Sequence, residues 1–119
     1  MTADGAEGNF IPCKEIKTKD WYAWLNLMPP PPDDFHVVGE VYVPNPGVEI
    51  LLTPKEPQGI NPQILLIDIY LLQKPGNWPQ NFVWKPARYD KILLAAKYTQ
   101  VQIFCGDQVI ADLTVAIVV

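Results

Sequence analysis

The sequence has 119 residues, 49% hydrophobic and 18% charged, with 13 prolines and a formal charge of −4. That length suits one domain, the apolar fraction excludes a wholly disordered chain, and so much proline speaks against a helical bundle. An acidic chain is also a poor whole-surface binder of nucleic acid, because neutralising phosphates needs concentrated positive charge.

Residues 1–19 mix acids, lysines and glycines without periodicity. They are expected to form a flexible N-terminal tail, anchored near Phe10 and Ile11, ahead of a single domain over 20–119. There is no basic n-region followed by an apolar stretch, so a secretory signal is not expected. The apolar runs at 64–67 and 115–119 are too short to span a membrane. A cytoplasmic protein is the resulting expectation. Cys13 and Cys105 lie far apart, no CxxC pair is present, and in a reducing compartment both are expected as free thiols.

The first expected strand covers 20–28, with Trp21, Ala23, Leu25 and Leu27 alternating against Tyr22, Trp24, Asn26 and Met28. Four prolines, Pro29 to Pro32, stop it. Over 35–43, Phe35, Val37, Val41 and Val43 share one face, while His36, Val38, Glu40 and Tyr42 share the other. Gly39, mid-strand, suggests a bulge or a close neighbour. Pro44-Asn45-Pro46-Gly47 reads as a turn into a strand over 48–53. The segment 63–74 is apolar on nearly both faces and reads as a central strand interrupted by Asp68.

A long loop is expected over 75–86, holding a short strand at Phe82 to Trp84. Behind Pro86, the spacing of Tyr89, Ile92, Leu93 and Ala96 predicts a short helix near 87–97, with a strand over 92–96 as the alternative. The C-terminus reads as a hairpin, with strands at 98–104 and 108–119 around Gly106. In its second strand Val109, Ala111, Leu113, Val115, Ile117 and Val119 share a face. About seven strands without a βαβ rhythm predict an all-β, antiparallel β-sandwich of immunoglobulin-like form, with the C-terminal hairpin at its centre.

The function favoured by these residues is a non-catalytic binding or protein-interaction module, with no cofactor. Trp78, Trp84, Lys85, Arg88 and Tyr89 fall in the one strongly basic stretch, 74–97, of an otherwise acidic chain. Loop aromatics beside cations suit an interface with an acidic protein partner. The same rings could cap the core instead. A homo-oligomer through an edge strand is a further expectation. Two other classes compete. His36, the only histidine, lies near Asp33, Asp34 and Glu40, a set that suits a small metal-dependent enzyme. The aromatics also suit stacking on sugars or single-stranded bases. With no serine in the chain, serine-based catalysis is excluded.

Overall fold

A computed structural model describes residues 9–30, 32–93 and 98–119. They form β1 (Asn9–Ile11), β2 (Lys17–Asn26), β3 (Asp33–Val43), β4 (Val48–Pro54), β5 (Ile64–Gln73), β6 (Val83–Leu93), β7 (Gln100–Cys105) and β8 (Gln108–Val118). The protein is all-β. No helix among the described residues is long and apolar enough to cross a membrane.

Hydrogen bonding joins the strands in the order β1-β5-β7-β8-β2-β3-β6, with β4 on the other edge of β5. Pairs β2–β8 and β5–β7 are parallel and the rest antiparallel. The expected antiparallel sandwich is therefore corrected to a curled, mixed, half-barrel sheet. Strand β8 is the cause. Up to Thr114 it pairs with β7, and from Val115 to Val118 it pairs with β2, so one strand serves both halves. An immunoglobulin-like fold keeps two separate antiparallel sheets, and this pairing departs from it. The C-terminal hairpin does hold the middle of the sheet.

Period-two alternation sets the core. Phe35, Val37, Val41 and Val43 of β3 and Val101 and Ile103 of β7 are fully buried, with Leu65, Ile67, Ile69 and Leu71 of β5 almost so. Each such side chain contributes about 1.5–3 kcal/mol relative to an exposed one. The row expected along β8 holds only in part. Ile103 opposes Ala111 but Phe104 opposes Val109, so Ile110 is an inserted residue. This bulge reverses the alternation, turning Ile110 to the core and leaving Val109 43% exposed. Ile117 and Val119 are also exposed.

Three further expectations are corrected. The helix near 87–97 is absent over 87–93, where β6 pairs with β3 in unbroken register from Val83 to Leu93; residues 94–97 lie outside the described residues. Pro86 is tolerated there because β6 is an edge strand. The tail over 1–19 is partly strand: β1 pairs with β5, and β2 starts at Lys17 rather than Asp20, while 1–8 lie outside the described residues. Finally, Cys13 and Cys105 are joined in a disulfide, with Cα atoms 5.4 Å apart. Strands β1 and β7 follow one another along the same edge of β5, which brings the end of one to the end of the other.

Candidate binding surface

The residues singled out in the basic stretch do not converge on one site. Trp78 folds onto the turn between β3 and β4, its ring lying where any Cβ on Gly47 would have to go. Its Nε1 donates to the Lys74 carbonyl at 3.0 Å. Along β6 the side chains alternate. Trp84 and Arg88 face outward, whereas Lys85 and Tyr89 lie on the inner side and are half-buried. Lys85 donates to the Pro46 carbonyl at 3.0 Å, and Tyr89 packs against the core. Burial, and secondarily the neighbouring Tyr98, push the Tyr89 hydroxyl above its ordinary pKa of 10.0. The positive charge of the stretch is largely engaged as well. Lys74 pairs with Glu49 at 3.2 Å and Arg88 with Asp90 at 2.8 Å.

What the fold does assemble is an aromatic outer face on β2, β3 and β6. Lys17, Tyr42 and Trp84 form one cross-strand row. Tyr42 lies between Phe82 and Trp84, with ring centroids 5.1 and 4.9 Å away. Lys17 Nζ sits 5.8 Å from the Tyr42 ring centre and Lys19 Nζ 4.2 Å from that of Trp84. Phe82 is 59% exposed and Trp84 36%. Aromatic pairs of this kind add about 0.5–1.5 kcal/mol beyond their burial, and an exposed cation over a ring about 0.5–1. Among the described residues no carboxylate lies within ion-pair distance of either lysine, although Glu40 opposes Lys19 across the pair.

Comparison with protein-family models, curated proteins and solved structures gave no match. The surface has therefore to be interpreted from its own chemistry.

A second row lies further along the same face. Tyr22 stacks beside Trp24, and Trp24 tilts against His36 at 4.8 Å. His36 Nδ1 donates to Asp90 at 2.5 Å, and Arg88 Nε reaches the other carboxylate oxygen. Partial burial opposes ionisation of Asp90, but the hydrogen bonds and charges of His36 and Arg88 prevail and hold its carboxyl below the ordinary value. His36 is thus engaged by β6 rather than by Asp33, Asp34 or Glu40 of its own strand. Among the described residues no group of three or more His, Cys, Asp or Glu could hold a metal ion. Asp68 is partnered too, by Lys55 at 3.1 Å, so the odd charge of β5 has a structural role.

Sequence reasoning missed Lys17, Lys19 and Tyr42 as members of the surface. Tyr42 was visible as an outward residue of β3. Lys17 and Lys19 also alternate with Thr18, but the parity changes at a bulge between Lys19 and Tyr22, where Asp20 adopts φ 57°. That irregularity separates the lysines from the recognisable strand behind them.

Proposed function

We propose that the protein is a non-catalytic interaction module whose outer face on β2, β3 and β6 binds an acidic protein partner. The observation carrying this reading is the exposed Phe82–Tyr42–Trp84 cluster with Lys17 and Lys19 over its rings. Rigid aromatics lose little side-chain entropy on binding, and Trp and Tyr dominate interface hot spots. The lysines favour a negatively charged partner through a salt-dependent association rate. Of the five residues first singled out, Trp84 and Arg88 face this partner. Lys85 and Tyr89 support the fold from the inner side of β6, and Trp78 packs on the turn between β3 and β4.

The disulfide supports a working compartment that is oxidising, in place of the cytoplasmic location expected above. The test compares partner retention by the wild type with that by Trp84→Ala, by a double Lys17→Glu and Lys19→Glu variant, and by Arg88→Ala. Loss of about 2 kcal/mol or more for Trp84→Ala, together with binding that weakens as salt rises, is the expected result. Unchanged retention by Trp84→Ala and the double variant rejects the reading. Quenching of tryptophan fluorescence by oligosaccharides, with no protein retained, would move the assignment to sugar binding.

A further inference from the structure

The end of the sheet beside the aromatic cluster carries a separate feature. The segment crossing from β1 to β2 does not lie flat on the strands. It leaves a cavity of about 470 Å3 bounded by Ile11, Ile16, Tyr42, Pro44, Leu71 and Phe82, with Lys14, Glu15 and Lys17 also lining it. Ligand cavities commonly run from about 300 to 1,000 Å3 with mostly apolar walls and a few placed polar groups. The crossing segment is fixed at both ends, since Cys13 is tied to Cys105 and Lys17 is paired in β2. The wall is therefore built before any ligand arrives, which lowers the ordering cost of binding.

We infer that this cavity binds a medium-chain carboxylate. Ile11, Ile16, Pro44 and Leu71 give the cavity an apolar lining that suits a flexible acyl chain. Phe82 and Tyr42, stacked on each other, add aromatic surface to the lining. Lys14 and Lys17 supply two positive charges against the single negative charge of Glu15, so the lining favours an anionic head group although the whole chain is acidic. This inference goes beyond the protein-interaction reading and does not depend on a partner, although Lys17, Tyr42 and Phe82 belong to both surfaces.

The test titrates the full chain, with its disulfide intact, with sodium butyrate, hexanoate, octanoate and decanoate, following backbone amide shifts by NMR. The expected result is saturable shifts centred on Ile11, Ile16, Leu71 and Phe82, with affinity rising about three- to fourfold for each added methylene. Decanol, of equal length and uncharged, should bind at least fivefold more weakly than decanoate. Lys14→Gln should narrow that difference, and Glu15→Gln should widen it. Both substitutions are at exposed positions and are expected to preserve the spectrum of the folded protein. Ile16→Trp fills the cavity and should weaken decanoate at least tenfold. If that variant does not fold, the comparison of decanoate with decanol on the wild type still decides the matter. Equal affinity for the two, no dependence on chain length, or shifts lying elsewhere would overturn the inference. Trp84→Ala separates the two proposals: it should weaken partner retention as stated above and leave decanoate affinity within twofold.

Discussion

Gly39 offers a sharp test of how the outer strands are packed. It lies mid-strand in β3 with the Trp21 ring directly against it, and an added Cβ would come within 2.6 Å of Cζ3. No real Cβ tolerates that approach, so Gly39→Ala must displace the indole or bend the strand. Overpacking of this kind costs about 1–3 kcal/mol. The reduced entropy of the unfolded chain returns only about 0.4–1 kcal/mol. The net expectation is a loss centred on about 1 kcal/mol and reaching about 2.6 kcal/mol, and each kcal/mol lowers the melting temperature of a chain of this size by roughly 3–5 °C. The decisive measurement is a double-mutant cycle by denaturant unfolding. Trp21→Ala alone should be destabilising by about 2–4 kcal/mol, because the ring packs against the core. Once the ring is gone, Gly39→Ala should become neutral or stabilising, giving a coupling energy equal to the overpacking cost, about 1–3 kcal/mol. Equal costs of Gly39→Ala in both backgrounds would refute the steric argument and place the requirement in the backbone of β3.

Replacing Cys13 and Cys105 together by Ala opens a loop of 92 positions and should cost about 4–5 kcal/mol in the chain-entropy account, read from the urea midpoint. The depressed Asp90 pKa contributes stability above the carboxyl's unfolded-state value, and this is lost as pH falls through the lower folded value. His36→Ala should therefore make the acid side of the stability profile shallower, measured by thermal melts below the ordinary value of 3.8 and above it. The raised Tyr89 pKa has the opposite sense. Its contribution is complete below 10.0 and lost as pH rises through the folded value, so Tyr89→Phe should resist alkaline unfolding better than the wild type.

Much of the fold was legible because alternation is a direct image of burial. The rows Phe35 to Val43, Leu65 to Leu71 and Val101 to Ile103 could be read without knowing any partner strand. The direction of pairing could not, since parallel and antiparallel neighbours bury the same alternating face. Two bulges, beside Asp20 and at Ile110, reversed the alternation locally and misplaced Val109. The helix expected behind Pro86 failed for a related reason. Tyr89, Ile92 and Leu93 satisfy a helical spacing, but eleven consecutive pairs with β3 satisfy the backbone of β6 instead, and tertiary pairing overrides local propensity. The candidate surface was half legible. Trp84 and Arg88 were named from composition, whereas Lys17 and Lys19 reach the same face only through cross-strand register, which no local pattern encodes.

The parallel pairing of β2 with β8 sets a kinetic problem that the disulfide is placed to ease. Ala23 and Val115 are paired across 92 positions, the same separation as the two cysteines. A reduced chain must close that long loop by diffusion before any contact between β2 and β8 rewards it. Once Cys13 and Cys105 are bonded, β2 begins a few residues beyond one sulfur and β8 a few beyond the other, so the search becomes short. The bridge therefore acts on the rate of folding as well as on its equilibrium. Refolding from urea with the bridge intact should outpace refolding of the reduced chain, with the difference appearing in the folding limb. The order of events in the cell then matters, because oxidation before β8 has docked would guide the sheet and oxidation afterwards would only lock it.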